Sequence, residues 1–164
     1  MIVDANVFKG FFDSTMGNSH ALSGCPVQLM SKCSADNPIY HDYGKIIETE
    51  WQQVVDRDWF EPWLASQLMT GAISYVETIR DRELEKKLTN AGFPHGRDIV
   101  YARVGLGVVA VKGKSCMLFT EDLDFYDPKK KNCPTKTRAK LLATAAGPIC
   151  KILKKKDIHV SCVP

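Results

Sequence analysis

Short apolar runs rich in β-branched residues alternate along this chain with longer stretches whose apolar residues recur at helical spacing. That alternation limits the fold more than any other feature of the sequence. Residues 1–4 read as a strand stub, and 5–12 as a helix with Val7, Phe8, Phe11 and Phe12 on one stripe. Residues 38–40 read as a second strand, and 45–55 as a helix carrying Ile46, Ile47, Trp51 and Val54. A bulky cluster (Trp59, Phe60, Trp63, Leu64, Leu68) follows, and Ile73, Val76, Ile79, Leu84 and Leu88 extend its helical spacing. The cluster reads as core or an interface edge, not as a surface for stacking bases. After a break at 91–96, a helix is expected over about 97–106 with Gly105 and Gly107 marking its end, then a strand or buried loop over 108–111. Residues 116–120 and 158–160 are strands, and 135–156 is helical apart from Gly147-Pro148. Strands separated by helices predict an α/β fold with a central, mostly parallel sheet. The Gly-, Ser- and Pro-rich stretch 14–37 is expected to be a long connection holding a helical piece at 27–30.

At 164 residues, with 45% hydrophobic and 25% charged side chains, the chain suits one globular domain over 1–164. No apolar run approaches the roughly 20 residues that cross a bilayer. The first residues read as a buried strand and not as an export segment, so the cytoplasm is the expected compartment and no membrane partner is expected. Six cysteines contain no CxxC pair, and the four histidines (His20, His41, His95, His159) lack zinc-site or catalytic spacing. Reduced thiols follow from the expected compartment, with Cys116 a small core residue.

Charge is divided unevenly. Residues 129–156 hold ten Lys or Arg and no acid, while the remainder carries twelve basic against nineteen acidic side chains, a net of −7. A polyanion held on the basic sector is the sharper reading of this split, and a solvated helix pair the plainer one. Lys129, Lys130, Lys131, Lys136, Arg138 and Lys140 follow closely on an acidic cluster, where they suit a phosphate backbone. They lack the interleaved aromatics of a base-stacking surface.

The acids fall where an open α/β sheet binds ligands, at the carboxyl ends of strands. Asp4 follows Ile2-Val3, and Glu121, Asp122 and Asp124 follow the strand ending at Phe119. Asp98 lies near a helix start, and Glu50 projects from a helix with core-facing neighbours. Such carboxylates repel one another unless a positive charge stands between them, and a hard divalent cation prefers their oxygens.

In this order the motifs resemble the PIN domain, a family of metal-dependent nucleases that includes toxin ribonucleases and RNA-processing enzymes. Ile-Val-Asp-Ala-Asn-Val (residues 2–7) resembles the family's first strand and acid, with Asn6 beside Asp4. Residues 42–51 resemble the second acidic motif and favour Glu50 over Glu48. Gly96-Arg97-Asp98-Ile99-Val100 is similar to the third, and residues 118–125 to the closing motif, with Thr120 and Asp122 matching best. The likeness covers about residues 1–127, and both the 14–37 connection and the basic segment exceed the compact toxin pattern.

The resemblance implies a three-layer α/β/α domain and an endoribonuclease that uses Mg²⁺ or Mn²⁺. Asp4, Glu50, Asp98 and Asp122 would be its catalytic acids, with Asp4, Asp98 and Asp122 as direct metal ligands and Asp124 assisting a second ion. Thr120 is expected to set its hydroxyl against Asp4 or a phosphate, or else to serve in strand packing. Asn6 is expected to orient Asp4 or to cap a helix. Hydrolysis by water would leave a 5′-phosphate and a 3′-hydroxyl. RNA is the implied substrate, with a DNA-cleaving relative and a catalytically weak nucleic-acid-binding module as alternatives. Family analogy adds a homodimer as an option and leaves the identity of a protein partner, an antitoxin among them, open.

Overall fold

The strands are short, and each ends in or just before a polar residue. The computed structural model describes residues 1–18, 22, 24–94 and 96–164; His20 and His95 lie outside the described residues. Its strands are β1 (Ile2–Val3), β2 (Ile39–Asp42), β3 (Ile73–Val76), β4 (Cys116–Phe119) and β5 (Ile158–Ser161). Every pairing between these five strands is parallel. β1 pairs with β4 through Ile2–Leu118 and Val3–Phe119, and β4 pairs with β5 from Cys116–Ile158 to Phe119–Ser161. β2 pairs with β3 from Ile39–Ile73 to Asp42–Val76.

The expected central sheet is therefore divided into two small parallel sheets, ordered β1-β4-β5 and β2-β3. The reason is the brevity of β1, which leaves little ladder for a second neighbour. The two sheets still meet at their edges, where the Tyr40 N–H donates to the Met1 carbonyl and the Met1 amine to the Pro38 carbonyl, both at 2.8 Å.

Helices flank the sheets: α1 (Ala5–Thr15), α2 (Pro26–Met30), α3 (Ile46–Val54), α4 (Arg57–Met69), α5 (Arg82–Asn90), α6 (Ile99–Lys112), α7 (Thr135–Thr144) and α8 (Pro148–Lys154). Single 3-10 turns occur at Leu123–Phe125 and Pro128–Lys130. α6 lies against β4 and β2, and α8 against β5 and α5. One contiguous cluster of buried apolar side chains runs from Ile2 to Val163. At its centre the Trp51 ring stacks on Phe8 with centroids 3.9 Å apart, while its indole N–H donates to the Val3 carbonyl at 3.2 Å. α1, α3 and β1 are thus locked together directly behind Asp4.

Two local expectations are corrected. Residues 73–76 are a strand, not a continuation of helical spacing: Gly71, at φ +73°, turns the chain out of α4, and Ile73-Ser74-Tyr75-Val76 then pairs with β2. Gly105 and Gly107 lie inside α6, and 108–111 belongs to that helix. These glycines mark close packing. A Cβ on Gly107 would sit 2.1 Å from the Glu77 carbonyl oxygen, and one on Gly105 2.7 Å from Ile158 Cδ1. The helix stops instead at Gly113, a left-handed cap at φ 61°.

A candidate acidic active site

β1 delivers Asp4 to the start of α1, where its backbone N–H donates to the Phe119 carbonyl at 2.9 Å. Directly beyond β4, the Thr120 hydroxyl donates to Asp4 Oδ2 at 2.5 Å and accepts from the Asp122 N–H at 3.0 Å. Asp122 in turn caps the Leu123–Phe125 turn, its Oδ1 accepting from the Asp124 N–H at 2.9 Å. This loop is braced from outside. The Tyr126 hydroxyl donates to the Thr120 carbonyl at 2.9 Å, and Arg138 Nη2 donates to the Glu121 carbonyl at 2.7 Å.

Asp98 stands at the start of α6, and one turn on, the Tyr101 hydroxyl donates to Glu50 Oε2 at 2.7 Å. Glu48 goes elsewhere, accepting from the Tyr75 hydroxyl on β3 and pairing with Lys45 at 3.3 Å. Asp42 is buried and caps α3, accepting from Ile46 N–H at 2.9 Å and Ile47 N–H at 3.0 Å. Asn6 makes no bond to Asp4; its Oδ1 is buried without a partner.

The acids act on one another. Burial, then the charges of Asp122 and Asp98, push the Asp4 carboxyl up to about 7 against the Thr120 hydrogen bond. Asp98 is also held above the ordinary carboxylate value, first by burial and then by Asp122, Glu50 and Asp124, with Lys131 opposing. Burial, with Asp4 and Glu50 nearby, keeps the Tyr101 hydroxyl protonated. Asp4, Glu50, Asp98, Asp122 and Asp124 therefore share one region although 120 residues of chain separate the first from the last.

Their chemistry suits a hard divalent cation: oxygen donors throughout, an excess of negative charge, and an orphaned amide oxygen on Asn6. Their geometry is more open than that. Among the described residues, no group of three or more His, Cys, Asp or Glu stands ready to hold a metal. Lys131 lies among them, with its Nζ 2.5 Å from Asp124 Oδ2.

The expected phosphate-contacting residues divide by task. Lys131 faces the acids and Arg138 braces the loop. Lys130, Lys136 and Lys140, with Thr137 and Thr144, line a basic cavity of about 430 Å³, and Lys129 is exposed. Farther along, Lys156 is taken by Asp81 at 2.7 Å. A larger cavity, about 530 Å³, opens at the opposite, amino end of the strands beside Met1, Pro38 and Cys116, and none of the expected site residues lines it. His41 is a core residue, edge-on to Trp51 with ring centroids 4.5 Å apart, and burial pushes it down to about 3.

One participant, Tyr101, was missed from the sequence, and another, Lys131, was expected on phosphate and not on an acid. Tyr101 had a signal, the three-residue spacing from Asp98 that puts both on one helix face. Lys131 was noticed for its charge, but nothing in a run of three lysines distinguishes the one that turns inward. The chain matches no family model, no curated protein and no solved structure.

Proposed function

We propose that this protein is a divalent-cation-dependent phosphodiester hydrolase acting on RNA, with a PIN-like acidic site. The observation that carries the proposal is the gathering of the acids beyond the strand ends: Thr120 ties Asp4 to Asp122, and the nearby charges of Asp122, Glu50 and Asp124 help hold the Asp98 carboxyl above its ordinary value. The edge-to-edge order β3-β2-β1-β4-β5 supports it, because it brings the ends of β1 and β4 together in the middle of the molecule.

In this reading Asp4, Asp98 and Asp122 hold Mg²⁺ or Mn²⁺, and Asp124 assists. The bound ion supplies Lewis acidity toward a phosphoryl oxygen and lowers the pKa of water. The protein's own groups do the rest. Thr120 fixes one oxygen of Asp4 and ties Asp122 to the same hydroxyl, which sets the spacing between two ligands. Tyr101 holds Glu50 in the orientation from which it takes a proton or positions a water. Lys130, Lys136 and Lys140 hold the backbone through its phosphates, giving strong salt dependence and little base selectivity. RNA as the substrate follows from the family likeness, since the phosphate is common to RNA and DNA.

A second reading, a catalytically weak nucleic-acid-binding module, draws on the open carboxylate geometry and the Lys131–Asp124 pair. Labelled RNA and single-stranded DNA incubated with Mg²⁺ or Mn²⁺ separate the two. We expect RNA cleavage that needs the cation and falls at least about 100-fold in Asp4→Asn. Binding without cleavage would establish the second reading, cleavage of DNA alone would reassign the substrate, and equal cleavage by both proteins would remove Asp4 from the site.

A further inference from the structure

We propose that Lys131 is the resident counter-ion of the acidic cluster and that a divalent cation binds by displacing it. The inference rests on reading the cluster as a metal site. Asp124 is the most enclosed partner of any ion pair among the described residues, its side chain 5% exposed, and its Oδ2 lies 2.5 Å from Lys131 Nζ. The charges of Asp122 and Asp98 act on the same ammonium. The neighbouring Lys130 pairs instead with Asp127, the cap of the 3-10 turn at Pro128–Lys130, at 3.7 Å. Lys131, just beyond that turn, is the lysine of the run that reaches inward.

Its stem enters from solvent, with 55% of the side chain exposed, so the ammonium is free to withdraw without disturbing a helix or strand. Its carboxylate partner has no such freedom, since Asp124 sits inside a turn fixed by Asp122. An ammonium and a divalent cation seek the same oxygens and repel each other at contact range, so occupancy by one excludes the other. Whatever Lys131 contributes to the metal-free protein is therefore subtracted from the apparent affinity for the ion.

Mn²⁺ alone, titrated into the full chain and followed by calorimetry and by the Mn²⁺ spin-resonance signal, tests this on wild type, Lys131→Met, Lys131→Gln and Lys131→Arg. We expect the two neutral variants to bind Mn²⁺ about tenfold more tightly than wild type and to melt at lower temperature without metal. Lys131→Arg should stay close to wild type in both. Metal-free melting alone would report only a structural ion pair, so the opposite movement of affinity is what decides. If both neutral variants bind Mn²⁺ no more tightly than wild type, while Asp4→Asn abolishes binding, the displacement proposal fails and the metal site stands. If neither wild type nor the neutral variants bind Mn²⁺, both fail together.

Discussion

Asp4 carries a burden that the rest of the molecule tolerates only with help. An aspartate ordinarily titrates near 3.8, and here burial and two neighbouring acids lift it to about 7. Between those values the folded chain holds a proton that the unfolded chain has released. The contribution of Asp4 to metal-free stability should therefore fall as pH rises from about 4 to about 7 and level off above, while buried His41, pushed down from 6.5 to about 3, works in the opposite sense below about 6.5. Asp4→Asn removes the first of these. In chelator, melting curves should show the variant more stable than wild type at pH 8, by a few kcal/mol on the scale of about 1.4 per pKa unit, and nearly equal to it at pH 4. A stability gap between Asp4→Asn and wild type that fails to widen between pH 4 and pH 7 would contradict the assignment, because His41 contributes equally to both proteins. A substitution within the acidic cluster that stabilises the fold is what a cluster strained by its own charge should give.

At the scale of elements, the sequence was readable wherever an element's own residues decide its state. Residues 2–3 and 116–119 are apolar runs and 158–161 alternates apolar with polar, each with a polar stop, and the helices around Val7 and Trp51 show their stripes directly. It was unreadable where a partner decides. Ile73 and Val76 also fit a helix, and only the β2 edge beside them makes a strand. Gly105 and Gly107 look like terminators until the Glu77 carbonyl and Ile158 are seen pressing on α6. Gly107→Ala should accordingly destabilise by about 2–3 kcal/mol in urea unfolding, because the obstruction is backbone and cannot rotate away. Gly105→Ala meets the end of a side chain and should cost about 1 kcal/mol. Equal and small effects would mean that α6 shifts freely over the sheets.

Over the whole molecule, the separation of charge seen in the sequence becomes a partly buried acidic cluster and a lysine-lined cavity. The acids gather beyond β1 and β4, and the cavity lined by Lys130, Lys136 and Lys140 lies on the segment that follows them. Replacing these three lysines by Gln should weaken single-stranded RNA binding and reduce the slope of log affinity against log salt by about 2, at roughly 0.7 per phosphate contact. An unchanged slope would make the segment a solubility surface. That the acids at 4, 50, 98, 122 and 124 lie near one another was suggested by residue types and order, but their internal pairing was not, since whether Tyr101 meets Glu50 or Lys131 meets Asp124 is settled only by packing. Trp51 shows how far that packing reaches. It follows Glu50 directly in the chain, and its indole grips the carbonyl of Val3, the residue before Asp4. The aromatic core thus works as a gauge block: two acids 46 positions apart take their separation from one shared indole.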